Sequence, residues 1–175
     1  MKTGFTLIEI LITIVIFSII ITSFLALFVS AFENQRKSLA ANYLLNNASY
    51  ITEYISRALR MAKKDKEGVC INPGNNFEPS DGESDYIKFL NYKGECQKFF
   101  IREGRLKVEK RGIEQALTPR NLIVENLKFK ISGGSQADNL QPSITFSLKL
   151  KTIKTPSQEI NFQTTISQRP LDVQY

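Results

Sequence analysis

The side chains that could carry out chemistry in this sequence are few, because it contains no histidine. The 175 residues also include no tryptophan and only two cysteines, Cys70 and Cys96. Without an imidazole base, neither a Ser-His-Asp nor a Cys-His arrangement can form. A zinc site of mixed histidine and cysteine ligands is excluded for the same reason. We therefore expect a protein that is not an enzyme, with no cofactor and no metal.

The two cysteines allow two interpretations. If their part of the chain lies outside the cytoplasm, a disulfide between Cys70 and Cys96 is the natural pairing. The bridge would close a loop of roughly 25 residues and stabilise the fold by about 3 kcal/mol in the loop-entropy treatment. The alternative is a pair of buried, reduced thiols.

Glu9 is the one charged residue in a long apolar segment. Nearly every residue from Phe5 to Phe32 is apolar, and Glu9 is the exception. A carboxylate costs about 2–3 kcal/mol at the centre of a bilayer on insertion scales, and less near an interface. An ionisable group in such a segment is a functional-site hypothesis by default, so we expect Glu9 to have a partner.

The apolar segment is long enough to cross a membrane. Residues 10–32 are 23 uncharged residues, and a helix of that length spans roughly 34 Å. A cleaved secretory signal peptide has a shorter apolar core, so we favour a transmembrane helix. The flanking charges do not orient the span, since Lys2 precedes it while Arg36 and Lys37 follow it.

The sequence GFTLIE from Gly4 to Glu9, followed by this apolar helix, resembles the N-terminal signal of type IV prepilins and pseudopilins. The resemblance implies that a prepilin peptidase cuts after Gly4 and N-methylates the new N-terminal residue, Phe5. It implies that Glu9 is the acidic residue of the family motif. Once cut, the amine of Phe5 could pair with Glu9 of a neighbouring subunit, because an ion pair in a low dielectric is strongly favoured over two isolated charges.

The same resemblance implies a fold, a location and partners. The fold is α+β, with a long N-terminal helix packed on an antiparallel β-sheet. The protein would cross the bacterial inner membrane once, with its N-terminus in the cytoplasm, and then enter a pilus or pseudopilus. The implied partners are prepilin peptidase, other pilin or pseudopilin subunits, the inner-membrane assembly platform and, before assembly, membrane lipid.

The helix ending ISRALRMAKK and the strand QTTIS are most similar to those of minor pilins and J-type pseudopilins of type II secretion. A structural minor subunit is therefore our first hypothesis. A major pilin, or a filament-borne module that binds DNA or a surface as in competence, is the alternative. The sequence does not separate a type IV pilus from a type II secretion or competence filament.

The elements that position these residues follow from periodicity. No glycine or proline occurs from Phe5 to Glu67, and apolar residues recur at spacings of three and four beyond the span. We predict one helix from Phe5 to about Lys64. The expected divisions are a leader (1–4), a transmembrane or filament-core helix (5–32), an amphipathic continuation (33–67) and an extracytoplasmic β-rich domain (68–175).

Alternating apolar and polar residues predict strands in the C-terminal part of the chain, each with one face packed and one in water. The packed faces are expected to cover the amphipathic half of the helix. The predicted strands are residues 86–92, 95–102, 105–111, 123–132, 143–151 and 160–167, with a short one at 69–71.

The net charge is +6, and all of it lies beyond the apolar segment, since setting aside Lys2 and Glu9 leaves 22 basic and 16 acidic residues. We interpret the basic residues as a solvated sheet face and do not expect nucleic acid as a partner. The acidic residues between 78 and 85 are interpreted as turn formers, with calcium as the alternative. The basic set is Arg102, Arg105, Lys107, Lys110, Arg111, Lys128, Lys130, Lys149, Lys151 and Lys154, and the acidic set is Glu78, Asp81, Glu83 and Asp85.

Overall fold

The computed structural model describes residues 4, 6–133, 141–153 and 156–169. Within these ranges one helix is followed by eight strands, which confirms the α+β prediction. The elements are α1 (Leu7–Arg60), β1 (Gly82–Ser84), β2 (Tyr86–Leu90), β3 (Cys96–Arg102), β4 (Arg105–Lys110), β5 (Ile113–Ala116), β6 (Leu122–Ser132), β7 (Ser143–Thr152) and β8 (Glu159–Ser167).

The helix α1 ends four residues before the predicted end at Lys64. Its last turn tightens where Ala62 N–H donates to the Leu59 carbonyl at 3.2 Å. Lys63 then forms an antiparallel bridge with Leu90, whose carbonyl accepts the Lys63 N–H at 2.8 Å. Pairing of Lys63 with Leu90 therefore takes the chain out of the helix, which ends before residue 67, the expected end of the amphipathic continuation.

The chain divides into two compact units, residues 1–39 and residues 40–175. The first unit contains the apolar part of α1, whose large side chains are exposed. Phe24 is 72% exposed and Leu27 is 70% exposed. No neighbouring element of this unit covers these side chains within the described part of the chain.

The strands of the second unit form two antiparallel four-stranded sheets, ordered β1-β6-β7-β8 and β2-β3-β4-β5. The six long predicted strands correspond to β2, β3, β4, β6, β7 and β8, with ends displaced by one or two residues. The short strands β1 and β5 were not predicted. The predicted strand at 69–71 is wrong, because its backbone N–H groups bind a carboxylate instead of a neighbouring strand.

The core of the second unit lies between the C-terminal part of α1 and the inner faces of both sheets. Leu44, Ile51, Ile55 and Leu59 are buried along one helix face. Burial alternates strictly along β7, as the sequence pattern predicted. Apolar side chains of both sheets complete the core, among them Phe89, Phe99, Leu106, Phe129, Phe146 and Leu148.

Candidate functional site at the N-terminus

Gly4 is exposed. A Cβ built on Gly4 would meet no described atom within 4 Å, so the described residues leave room for a side chain at this position. Phe5, the expected N-methylation site, lies outside the described residues.

Thr6 and Glu9 hold the start of α1 in a reciprocal capping arrangement. The Glu9 carboxylate accepts from the backbone N–H of Thr6 at 3.1 Å and from its hydroxyl at 3.1 Å. The Thr6 hydroxyl oxygen in turn accepts the Glu9 N–H at 3.4 Å. The backbone N–H groups of Thr6 and Glu9, which have no carbonyl partner within the helix at its start, thus each gain a side-chain acceptor.

The capping role of Thr6 was missed from the sequence, although the signal was present. A Thr followed three residues later by Glu, directly before an apolar run, is the sequence pattern of a capping box. Glu9 thus has a hydrogen-bonding partner within its own chain. Its negative charge also lies in the first turn, where it is stabilised by the positive end of the helix dipole.

Four hydroxyl groups inside the apolar segment bond to their own helix. They donate to carbonyl oxygens three or four residues earlier, at 2.6–2.9 Å. Such pairing suits surroundings without water. By length and composition, α1 is the one helix in the described ranges that could cross a membrane. The four hydroxyls belong to Thr13, Ser18, Thr22 and Ser23.

Cys70 and Cys96 are joined by a disulfide in the structure, with their Cα atoms 5.1 Å apart. The bond connects the loop after α1 to the first residue of β3. The two cysteines are separated by 26 positions in sequence, and the segment between them contains β1 and β2.

Asp65 organises the same loop and was not singled out from the sequence. It is 1% exposed. One carboxylate oxygen accepts the N–H groups of Gly68 and Val69, and the other accepts those of Cys70 and Ile71. Burial acts to raise the pKa of Asp65, but these four donors outweigh it and hold the pKa below its ordinary value. An Asp three residues before a Gly in a loop is a recognisable turn signal.

The acidic and basic sets are largely paired with opposite charges. Asp85 contacts Lys128 at 2.5 Å, and Glu78 contacts Lys88 at 3.8 Å. No group of carboxylates suited to a metal ion occurs among the described residues. Lys154 lies outside those residues. Carboxylates also pair with Arg102, Lys107, Arg111, Lys149 and Lys151.

Comparison with known proteins returns one finding. A family model described as the prokaryotic N-terminal methylation motif matches residues 1–25. No curated protein and no solved structure matches the chain. The match covers Gly4, Thr6, Glu9 and the first turns of α1, and it confirms the resemblance to a type IV pilin-like prepilin.

Proposed function

We propose that this protein, whose N-terminus is that of a type IV pilin-like prepilin, is a structural minor subunit of a type IV pilus or type II secretion pseudopilus. The match of residues 1–25 to the methylation motif is the observation that carries the proposal. The motif indicates a structural subunit rather than an enzyme, processed by prepilin peptidase and assembled with other pilins.

In this proposal, processing takes place beside the exposed Gly4. Prepilin peptidase cuts after Gly4 on the cytoplasmic side and methylates the new amine of Phe5. The exposed Gly4 offers no side chain to hinder the enzyme. Because the cut precedes the apolar segment, the anchor remains attached to the chain after the leader is removed.

Assembly is proposed to use the exposed apolar part of α1. In the inner membrane these side chains contact lipid, and the assembly platform transfers the helix to contact with other subunits. Glu9 lies at the helix start, held by Thr6. The free amine of Phe5 in a neighbouring subunit would then add a charged partner to a carboxylate whose position is already fixed.

The residues from 40 onward are proposed to lie outside the cytoplasm and to contact partner proteins. The disulfide between Cys70 and Cys96 is consistent with that compartment. A filament-borne module that binds DNA is less favoured, because ion pairs with carboxylates already occupy most of the basic sheet residues.

The test is mass spectrometry of the N-terminal peptide after co-expression with a prepilin peptidase. We expect a chain that begins at N-methylated Phe5, and we expect the intact Met1 start when Gly4→Leu blocks cleavage. A pilin of known processing serves as the control in the same cells. If the wild-type chain keeps Met1 while the control is cut, the proposed function is wrong.

The minor role is tested separately by the abundance of the protein in sheared filaments. A minor subunit should be present at a small fraction of the main component. If this chain is the main component, it is a major pilin.

A further inference from the structure

A pocket of about 430 Å³ lies between α1 and the sheet β2-β3-β4-β5, within the unit formed by residues 40–175. Its volume is within the range of small-molecule sites, about 300–1,000 Å³. The helix side is formed by Tyr54, Ala58 and Met61, and the sheet side by Tyr92, Gln97 and Lys110. The pocket therefore combines apolar walls with a few polar groups.

The orientation of the Gln97 amide is fixed by its neighbours. The Oδ1 atom of Asn91 accepts the backbone N–H groups of Lys93 at 2.9 Å and Glu95 at 3.0 Å. The Asn91 Nδ2 must then face Gln97, and it donates to the Gln97 Oε1 at 3.4 Å. The Gln97 Nε2 is left buried without an acceptor among the described residues. Gln97 itself is 3% exposed.

Two further donors lie beside Gln97. Lys110 is directly opposite Gln97 in the pairing of β3 with β4. Its ammonium donates to the Tyr54 hydroxyl oxygen at 2.9 Å and lies 5.4 Å from the centre of the Tyr54 ring. Because that hydroxyl oxygen accepts from Lys110, its own hydrogen remains available to donate. No carboxylate lies within 4.0 Å of the Lys110 ammonium in the described part of the chain.

The lining of the pocket thus presents several donors, among them the positively charged Lys110. Arg57 also lines it and is paired with Glu53 at 2.7 Å, and no aspartate or glutamate is among the lining residues. An ammonium, a phenol and an amide donor suit an anionic acceptor, and a planar carboxylate can accept from several donors at once. The apolar walls suit a hydrocarbon group attached to that carboxylate.

We propose that this pocket binds a carboxylate carried on an apolar body, with Lys110, Tyr54 and Gln97 donating to the carboxylate. The source is either a free aryl or alkyl carboxylic acid or the terminal carboxylate of an apolar peptide. Binding does not depend on the proposed filament role, since none of these residues lies in the segment that matches the methylation motif.

The experiment uses the full chain, labelled with ¹⁵N, in zwitterionic micelles. The probe is 3-phenylpropionate, and its uncharged amide is the matched control ligand. We expect a saturable shift of the Gln97 side-chain amide resonance with the acid and none with the amide. Acetyl-Gly-Phe and its C-terminal amide form a second pair of probes, and tighter binding of one acid than of the other distinguishes the peptide source from the free acid.

Variants separate pocket binding from partition into the micelle. Loss of a charge-assisted hydrogen bond in Lys110→Met should weaken binding of the acid by about tenfold or more. Lys130→Met, on the other sheet, is the matched control and should leave binding unchanged. Gln97→Met removes the reporter amide, so its binding is followed at the backbone amide of Lys110, which faces residue 97 across the two strands. This variant should also bind the acid more weakly while the rest of the spectrum shows an intact fold.

Three results would overturn the proposal. They are an absence of any saturable shift at Gln97 up to the solubility of the acid, equal binding of acid and amide, and unchanged binding in a folded Lys110→Met variant. Partition of the probe into the micelle alone would shift resonances of the apolar segment equally in all variants.

Discussion

Replacing Asp65 by asparagine should lower the free energy of unfolding by about 3 kcal/mol at neutral pH. The substitution keeps the size of the side chain but turns one acceptor oxygen into an NH₂ group. The carboxylate of Asp65 accepts two N–H groups on each oxygen, at distances of 2.6–3.0 Å. An asparagine can keep the pair from Gly68 and Val69, and its NH₂ group then faces the N–H groups of Cys70 and Ile71.

The magnitude follows from the two bonds that are lost. A hydrogen bond to a charged group is worth about 1.5–3 kcal/mol, so two lost bonds give about 3 kcal/mol at the lower end. The remaining two bonds also lose the negative charge of the acceptor. Asp85→Asn is the matched control, because Asp85 is 72% exposed and pairs with Lys128 at the surface. We expect it to change stability by less than about 0.5 kcal/mol.

The effect should depend on pH in a defined direction. The pKa of Asp65 is lower in the folded chain than in the unfolded chain, so the unfolded chain takes up a proton first as the pH falls. The contribution of Asp65 is therefore fully present above about pH 4 and is lost as the pH falls through the folded pKa. The difference between wild type and Asp65→Asn should shrink below about pH 4.

The assay is urea unfolding of the full chain in micelles at pH 7 and pH 3. Because the chain has no tryptophan, the near-ultraviolet circular dichroism of tyrosine reports the packing of the second unit. Equal stability of wild type and Asp65→Asn at pH 7 would refute the role of the carboxylate. A difference that persists unchanged at pH 3 would show that its charge is not what stabilises the loop.

Three other predictions concern stability and the helix start. In oxidising buffer, Cys96→Ser should lower the free energy of unfolding by about 3 kcal/mol relative to wild type. Dithiothreitol should lower the stability of the wild type to that of the variant and should leave the variant unchanged. Ile55→Ala, at a fully buried position, should cost about 3 kcal/mol, while Leu45→Ala, 48% exposed, should cost under 1 kcal/mol, both by urea unfolding. Thr6→Ala should destabilise the helix start by about 1 kcal/mol and speed amide hydrogen exchange at Glu9. Thr6→Ser, which keeps the hydroxyl, should exchange at the wild-type rate. Equal exchange rates in the two variants would contradict the capping role.

The long helix and the six long strands could be predicted because each has a period that its own residues display. The helix has no glycine or proline before Gly68, and β7 alternates apolar and polar residues along its full length. The N-terminal motif is also local in sequence, so the resemblance could be found without the fold. The end of the helix at Arg60 could not, because it depends on pairing with Leu90.

Other features depend on residues that are distant in sequence. Strand β1 has three residues and exists because it pairs with β6, some fifty residues later. The division into two sheets, with β5 and β6 in different sheets, is not visible in any one strand. The pocket at Gln97 required the helix, strands β3 and β4 and the turn after β2 to be placed together. Asp65 is an intermediate case, because the turn signal is local but the number of donors that it accepts depends on the loop conformation.

The hydroxyl groups of the apolar segment have a consequence for its transfer between surroundings. Thr13, Ser18, Thr22 and Ser23 each have their hydrogen-bonding partner on the same helix. If the helix passes from lipid to contact with other subunits, as proposed for assembly, none of these four bonds needs to break. The preference of the helix for one environment over the other would then depend on how its remaining side chains pack and on the charge at Glu9, so the surface proposed to contact lipid would also suit contact with other subunits.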